Sequence, residues 1–321
     1  MTQNLNFMPG KLIVALIVVI FLSASFVAHA QHCGCKGVSK ADREAADKAL
    51  FLSKADRSKA IKRHLPHGAP KFPRVRYKRD EHLLIHKDFI INYDDDLRMP
   101  RWVAYKLTKA DVDADLVRKS CFRRDPRIKE DRKTAFCEDY EEPIYDRGHM
   151  APNSDFERSL EAMLNTYMFT NMAPQYAGFN QGVWVELEKL VRKWTKKRGQ
   201  IYIITGAIFD KDGDGKRDSD HLTNRMVSND GLARVAIATH FYKILVEDKG
   251  DGKFDAISFI LKHDEDRVSG NPARQELKDG LSAIDEIEAI TQYNFFPTWE
   301  KAASQAIIQL ESSKRSTLWS Q

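Results

Sequence analysis

The tetrapeptide Asp146-Arg147-Gly148-His149 constrains this chain more than any other feature. It places polar residues between apolar neighbours, and Gly148 frees the backbone beside His149. Arginine offers a fixed fork of donors that suits phosphate oxygens, and histidine can take a proton from water near neutral pH. These four residues alone fit phosphate chemistry, and they fit equally well a structural histidine beside an Asp–Arg ion pair.

The residues that follow the tetrapeptide favour phosphate chemistry. They form a spaced series of amide, apolar and acidic side chains: Asn171, Pro174, Gln175, Asn180, Trp184, Leu187 and Glu188. In order and spacing, the tetrapeptide and this series resemble the DNA/RNA non-specific endonuclease family. The resemblance runs from about Trp102 to Leu261.

The resemblance implies an α+β fold with a ββα-metal, or His-Me finger, nuclease core, in which helices flank a central antiparallel sheet. It implies that a strand pair carries His149 as general base and that the following helix carries Asn180 as the direct ligand of Mg²⁺, with Mn²⁺ as a substitute. Arg147 matches the tetrapeptide arginine of the family, and Asn171 matches an asparagine that supports the site by hydrogen bonding. Glu188 matches an acidic residue on the metal-bearing helix.

The spacing of Asn180 and Glu188 limits how both can serve one ion. Eight residues span about 12 Å along a regular helix, so both side chains cannot bind the ion directly. We therefore expect Glu188 to act through metal-bound water, a role that suits Mg²⁺ because this ion keeps several waters. The alternative for Asn180 is a helix N-cap.

A further arginine is expected upstream to stabilise the pentacoordinate phosphorus. The family pattern of arginine, phenylalanine and Asp-Pro matches Arg118, Phe122 and Asp125. Several other arginines crowd this stretch and compete for the assignment. Before the tetrapeptide, the sequence departs from the family's usual Ser-Gly, with Glu142-Pro143-Ile144 in its place, which puts the rim of the site in doubt.

The first 30 residues predict a secretory signal peptide. Lys11 precedes an apolar run from Leu12 to Val27, and Ala28-His29-Ala30 provides a small-residue cleavage site. The alternative is an uncleaved anchor, but the run is shorter than the roughly 20 residues that a spanning helix needs. We expect a secreted or periplasmic protein without stable membrane association after signal cleavage.

Export to an oxidising compartment gives the four cysteines a structural use. A disulfide between Cys121 and Cys137 would close a loop of about 16 residues and contribute roughly 3 kcal/mol. Cys33 and Cys35 are left as a disulfide of a mobile tail, free thiols or an intermolecular link. Four cysteines allow three pairings, and the sequence alone does not choose among them.

A loop with the opening pattern of an EF-hand calcium site suggests a structural Ca²⁺. Its acids occupy positions one, three, five and nine, with glycine at six: Asp210, Asp212, Asp214 and Asp218. His221 stands at position twelve, where glutamate is expected, so the bidentate ligand is missing or comes from Asp220. The alternative is a solvated turn between strands. The similar run from Asp248 to Asp255 predicts a hairpin turn.

The apolar patterns divide the chain into a signal segment (1–30), an N-terminal arm (31–84), a nuclease domain (85–296) and a C-terminal helix with a frayed tail (297–321). The arm is expected to lie on the domain or to be loosely ordered. Strands are predicted at Trp102–Leu107, Ile201–Thr205, Val235–Ala238, Phe241–Val246 and Phe254–Leu261, the third and fourth as one strand or two. Helices are predicted at Lys40–Leu52, Ser159–Asn165, Gly182–Lys197 and Pro272–Leu281. Mixed elements without regular alternation favour an α+β fold.

The leading functional hypothesis is a metal-dependent endonuclease with DNA and RNA as substrates. The net charge of +5 is a weak bias, but basic residues cluster at Lys71–Arg79, Arg118–Lys133 and Lys189–Arg198. Contact with the phosphate backbone would give little sequence preference. Alternatives are a phosphodiesterase restricted to one sugar or to single strands, and an inactive calcium-dependent polyanion-binding module. Homodimer formation is left open.

Overall fold

The computed structural model describes residues 33–72, 81–140, 142–228, 231–299 and 305–320. The predicted signal segment lies outside these ranges. Within them, no helix is long and apolar enough to cross a membrane.

A seven-stranded antiparallel sheet forms the centre of the fold, in the order β13-β12-β11-β8-β4-β3-β2. Three further strand pairs lie outside it: β1 with β5, β6 with β7, and β9 with β10. The strands are β1 (Gly34–Lys36), β2 (Glu81–Ile85), β3 (Ile90–Asp94), β4 (Met99–Thr108), β5 (Ser120–Phe122), β6 (Tyr145–His149), β7 (Met172–Tyr176), β8 (Gln200–Ile208), β9 (Arg225–Val227), β10 (Ala233–Ala236), β11 (His240–Asp248), β12 (Phe254–Lys262) and β13 (Leu281–Ser282).

The helices flank this sheet, which confirms the predicted α+β class. They are α1 (Lys40–Lys48), α2 (Lys54–His64), α3 (Lys109–Val112), α4 (Leu160–Thr166), α5 (Ala177–Phe179), α6 (Val185–Arg198), α7 (Gly270–Asp279), α8 (Ile284–Thr291) and α9 (Gln305–Ser312). A π-helix, Asn180–Trp184, joins α5 to α6. The predicted helix at Pro272–Leu281 ends earlier, at Asp279, because Leu281 pairs with Phe259 in the sheet.

The central strands are buried on both faces, which explains their unbroken apolar runs. In β4, Val103 and Tyr105 belong to one apolar cluster, and Trp102 and Ala104 belong to the other. The first cluster also contains Trp184 and other residues of the helical segment that follows β7. The central sheet therefore packs against that helical segment and supports it.

The two strand predictions around residues 235–246 are resolved as separate strands. β10 pairs with β9, and β11 pairs with β8 and β12 in the central sheet. The expectation of a frayed C-terminal tail is wrong at Trp319, which is buried and whose carbonyl accepts a hydrogen bond from Trp194 Nε1 at 2.9 Å.

Residues 33–72, the first described part of the arm, are tied to the rest of the fold by two disulfides. Cys33 pairs with Cys137, and Cys35 pairs with Cys121. The predicted Cys121–Cys137 disulfide is therefore wrong. The pairing of β1 with β5 sets Cys35 directly opposite Cys121, so a contact between distant segments decides which thiols meet.

The strand-pair–helix unit, residues 145–198, is the part of the fold that the sequence motif predicted. β6 and β7 are antiparallel, with His149 opposite Met172. The chain between them runs through α4, and after β7 it enters the helical segment 177–198. His149 thus ends the first strand, and Asn180 lies in the first turns of the following helical segment.

Candidate active site

His149 presents a buried ring nitrogen that has no hydrogen-bond partner among the described residues. Its ring packs edge-on against Tyr167 at 4.7 Å between centroids. Its Nε2 atom is buried and accepts or donates no hydrogen bond among the described residues. Burial, with a smaller contribution from the positive charge of Arg118, lowers the pKa of His149 to about 3. The imidazole is therefore neutral near pH 7 and able to accept a proton.

Gly148 is required for space rather than for backbone freedom. Its φ is not positive, which corrects the interpretation from sequence. A Cβ at this position would lie 2.2 Å from Gln175 Oε1 on the paired strand. Gln175 is fully buried, and its side-chain amide has no hydrogen-bond partner among the described residues. The glycine therefore makes room for the glutamine beneath the tetrapeptide.

Asn180 is not a helix N-cap. Its backbone is helical, and the helical segment begins three residues earlier, at Ala177. Its Nδ2 donates to Asp146 Oδ2 at 2.8 Å, and Gln181 Nε2 donates to the same oxygen at 2.9 Å. Because an ionised carboxylate only accepts, this bond fixes the amide orientation and leaves Oδ1 of Asn180 as its remaining polar atom.

Asp146 therefore holds the metal-ligand candidate in place. The helical segment that carries Asn180 is itself irregular. Gly182 departs from helical dihedral angles inside the π-helix, and an added Cβ there would lie 2.9 Å from the Val268 carbonyl. Such π segments are frequent at functional sites.

Arg118 makes no ion pair with any acid that the structure describes, whereas several other basic residues of its stretch do. Its Nε donates to the Tyr167 hydroxyl at 2.8 Å, and its side chain is largely exposed. The same tyrosine packs on His149, which places Arg118 beside the candidate base. Among the neighbouring cations, Arg123 pairs with Asp47, Arg124 with Asp131, Arg127 with Asp125 and Lys133 with Asp95.

Arg147 is buried rather than open to solvent. Its guanidinium lies 5.1 Å from the Phe122 ring and donates to Cys137 Sγ at 3.6 Å. The tetrapeptide is thereby in contact with the Cys33–Cys137 disulfide of the arm. In this position, Arg147 supports the strand that carries His149, and little of its guanidinium is accessible to a phosphate.

Asn171 is a positioning residue. Its Nδ2 donates to the carbonyls of Ala151 and Thr166, at 2.9 and 2.8 Å, and its Oδ1 accepts from the Ala151 amide at 3.0 Å. All of these partners are backbone atoms, and the side chain is fully buried. It joins the chain just after His149 to the end of α4 and has no atom to spare for a reacting group.

Comparison with known proteins agrees with this geometry. A sequence model of the DNA/RNA non-specific endonuclease family matches residues 71–302. The chain belongs to this family. It is 29% identical to mitochondrial nuclease EXOG of Danio rerio over 233 residues, which cover 71% of this chain and 64% of that relative.

Two other relatives of this endonuclease-family chain match it over shorter regions. Nuclease C1 of Cunninghamella echinulata var. echinulata is 34% identical over 187 residues, 56% of this chain and 70% of the relative. Mitochondrial endonuclease G of Caenorhabditis elegans is 32% identical over 202 residues, 61% of each. The chain thus spans less than two thirds of the EXOG and endonuclease G relatives.

Glu188 of this endonuclease-family chain interacts electrostatically with a buried lysine that the sequence reasoning missed. Lys243 is fully buried on β11, where its Nζ donates to Thr205 Oγ1 at 2.7 Å and lies 4.6 Å from the Trp184 ring. Burial raises the pKa of Glu188 to about 7 and lowers that of Lys243 to about 8, and the charge of each counters the shift of the other. The visible signal was a lysine inside the apolar run Phe241–Val246.

Arg192 was also missed. It lies one turn after Glu188 on α6 and donates to Ser154 Oγ at 2.9 Å and to Asp155 Oδ1 at 3.3 Å. Asp155 in turn accepts from the Tyr105 hydroxyl at 2.7 Å. The i, i+4 spacing from Glu188 is the sequence signal that identifies it. Together these groups form a charged layer between the helix and the sheet.

The Asp-rich loop holds three of its four predicted acids together. One oxygen each from Asp210, Asp212 and Asp214 lies within 4.8 Å of the other two. Asp218 Oδ2 instead accepts a hydrogen bond from the Lys211 amide at 2.6 Å. Asp220 is not the missing ligand, because its carboxylate pairs with Arg101 and Arg217.

Proposed function

We propose that this chain is an exported, Mg²⁺-dependent endonuclease that hydrolyses the phosphodiester bonds of DNA and RNA with little sequence preference. The observation that carries the proposal is the buried, unpartnered Nε2 of a neutral His149 on the same unit as Asn180. Family membership supports phosphodiester hydrolysis, and the names of the relatives include nuclease and endonuclease.

The residues present fit a magnesium ion. The Asn180 amide oxygen is the kind of hard ligand that Mg²⁺ takes, and a single protein ligand suffices because this ion keeps several waters. Bound Mg²⁺ would polarise the phosphate and stabilise the departing 3′ oxygen. Asp146 fixes the amide that would hold it.

The protein's own residues would divide the remaining work. His149 takes a proton from the attacking water, and the nearby phosphate charge would raise its low pKa toward the working pH. Arg118 donates to the phosphate, since its guanidinium is exposed and not paired with any described acid. Glu188 would order water at the metal site, and the positive charge of Lys243 favours its charged carboxylate.

Digestion of plasmid DNA and of RNA, with Mg²⁺ and then with chelator, tests the activity. His149→Ala should lose about 10²- to 10⁴-fold in rate, the usual contribution of a general base. His82→Ala is the control, because His82 lies on the edge strand β2 and pairs with Asp95. An absence of Mg²⁺-dependent cleavage above the His149→Ala background would rule the proposal out.

A matched pair of variants tests the metal ligand. Asn180→Ala and Gln181→Ala each remove one hydrogen bond to Asp146 Oδ2, but only Asn180 is proposed to bind the ion. Asn180→Ala should need more Mg²⁺ for half-maximal rate and should be slower at saturation. Equal Mg²⁺ dependence of the two variants would contradict the assignment.

Export is supported by the two disulfides, because such bonds persist in oxidising compartments. The expected mature chain begins at Gln31. Fractionation of the producing cells and N-terminal sequencing would test both points, and a reduced protein retained in the cytosol would contradict them.

A further inference from the structure

The loop that follows β8 brings three carboxylates together away from the nuclease centre. One oxygen each from Asp210, Asp212 and Asp214 lies within 4.8 Å of the other two. Among the described residues, only one basic side chain forms an ion pair with these three acids. Lys216 pairs with Asp214 at 2.9 Å. Like charges this close repel each other unless a cation lies between them.

A second observation points to a ligand at the same place. Asp210 is 8% exposed, and its Oδ1 is buried without a hydrogen-bond partner in the part of the chain that the structure describes. Its other oxygen accepts from the Gly215 amide at 3.1 Å, across the loop. A buried carboxylate oxygen without a donor is costly. A cation among the three acids would satisfy it.

The loop is built to keep its acids on one side. Asp212 Oδ1 accepts from the Asp214 amide at 3.2 Å, and Asp214 Oδ1 accepts from the Lys216 amide at 2.8 Å. Gly213 and Gly215 have φ of +72° and +76°, which residues with a Cβ rarely adopt. These turns curl the chain around the position that the three carboxylates share.

We propose that Asp210, Asp212 and Asp214 bind a Ca²⁺ ion that is distinct from the catalytic metal. Ca²⁺ takes six to eight oxygen ligands in flexible geometry, whereas Mg²⁺ demands a nearly ideal octahedron. Three carboxylates with loop carbonyls and water suit the larger ion. His221 stands in place of the bidentate acid, and Asp220 is engaged by arginines, so the affinity falls in the weak range of roughly 10⁻⁴ to 10⁻³ M.

The ion would stabilise the fold rather than take part in hydrolysis. The Asp210 amide donates to Thr239 Oγ1 at 3.0 Å, and the Asp218 amide donates to the Phe209 carbonyl at 2.8 Å. The loop thus connects the end of β8 to the segment just before β11. Binding would fasten two adjacent central strands at one end of the sheet. The site does not depend on the nuclease assignment, and its test needs no activity measurement.

Thermal unfolding of the full mature protein with added CaCl₂ or MgCl₂ tests the site. At about ten times the dissociation constant, Ca²⁺ should raise the midpoint by about 3 °C. Asp212→Asn and Asp214→Asn should each lose most of this shift, and both side chains are exposed enough for the variants to fold. Asp210 is left unchanged because its burial makes a folding defect expected.

Two controls separate this site from other acids and from the catalytic metal. Asp251→Asn alters the turn between β11 and β12, which has similar composition but no such cluster among the described residues, and it should keep the full shift. Asn180→Ala should also keep it. An absent shift in the unaltered protein, an equal shift with Mg²⁺, or a full shift in Asp212→Asn and Asp214→Asn would overturn the proposal.

Discussion

The strand-pair–helix unit and the N-terminal arm use their polar groups differently. In the unit, His149 Nε2 and the Gln175 amide are buried without hydrogen-bond partners in the described chain. In the arm, His67 Nε2 is also buried without a described partner, but other polar groups bond within the protein: Ser39 caps α1 and Ser53 caps α2. Asp47 pairs with Arg123, which also donates to backbone carbonyls.

The difference indicates where a ligand is expected, because the unpartnered groups of the unit lie on the paired strands β6 and β7, beside the tetrapeptide. An unpartnered buried atom lowers stability, so a protein keeps one only where the fold or a ligand requires it. The arm stabilises the fold through hydrogen bonds, an ion pair and two disulfides. Two arginines five positions apart show the same contrast. Arg123 pairs with Asp47 of the arm, whereas Arg118 makes no ion pair with a described acid and is proposed to contact the substrate phosphate.

The largest expected effect comes from the disulfides of the arm. The Cys35–Cys121 bond joins residues 86 positions apart, and it lies inside the loop that the Cys33–Cys137 bond closes. While that second bond is intact, Cys35–Cys121 closes an additional loop of roughly 18 residues, which predicts about 3 kcal/mol of stabilisation. Cys35→Ser/Cys121→Ser should lose about this much in free energy of unfolding but keep its rate at low temperature. Urea unfolding and a cleavage assay measure the two quantities.

The other disulfide provides a contrast for this experiment. Cys33→Ser/Cys137→Ser also removes the sulfur that contacts Arg147, so this variant should lose activity as well as stability. Peptide mapping without reduction should recover 33–137 and 35–121 links. A 121–137 link would contradict the fold of the arm.

A smaller effect, on activity alone, is expected at Arg118. Arg118→Gln should lower kcat about 100-fold, the usual loss when one donor to a developing negative charge is removed. Stability should hardly change, because the side chain is exposed and makes no ion pair with a described acid. Arg124→Gln is the matched control, since Arg124 pairs with Asp131 on the surface. Similar rates for the two variants would remove Arg118 from the site.

The sequence predicted the secondary-structure elements of the two regions better than the contacts between distant segments. Apolar runs gave the strands at Trp102–Leu107 and Phe254–Leu261, because burial on both faces leaves a plain local pattern. The family resemblance carried by the residues around His149 and Asn180 implied that both lie on one strand-pair–helix unit. Local order in the chain carries such information.

Contacts between distant segments carry no such local pattern. The cysteine pairing depends on β1 meeting β5, which no spacing encodes. Lys243 and Glu188 lie 55 positions apart (243 − 188), and the charge of each affects the pKa of the other only because the fold brings α6 near β11. Asn180 was given a cap as its alternative because the helix was expected to begin there, whereas it begins at Ala177.

The close packing under the tetrapeptide should produce a moderate effect on stability. Gly148→Ala would force a Cβ against Gln175, and overpacking of this kind costs about 2 kcal/mol. Gln175→Ala removes the obstacle, so the double variant should be nearly as stable as Gln175→Ala alone.

A glycine of the arm is the control for this cycle. Gly37 has a φ of +65° and no atom within 4 Å of an added Cβ. Gly37→Ala should therefore carry only backbone strain, and Gln175→Ala should not relieve it. Additive free energies for Gly148→Ala and Gln175→Ala would mean that the two residues do not compete for the same space.

The effect expected to be smallest at pH 7 is the pH dependence contributed by His64, at the end of α2 in the arm. Its Nδ1 accepts from the Lys106 amide at 3.0 Å, and its Nε2 lies 2.9 Å from the Lys87 carbonyl. Burial lowers the pKa of His64 to about 4. Below the unfolded value of about 6.5, the unfolded chain binds the proton and the folded chain does not.

Stability must therefore fall as pH drops from about 6.5 toward 4, by about 1.4 kcal/mol per pH unit for this residue. His64→Gln keeps a donor and an acceptor but does not titrate, so urea unfolding at pH 7, 6 and 5 should show a shallower loss. His149 also has a lowered pKa, so His149→Gln should flatten the same curve. Because the unpartnered Nε2 of His149 is the proposed general base, this variant should lose cleavage as well. His64→Gln should leave cleavage intact at pH 7. If His64→Gln has the unaltered slope, the arm does not hold this histidine neutral.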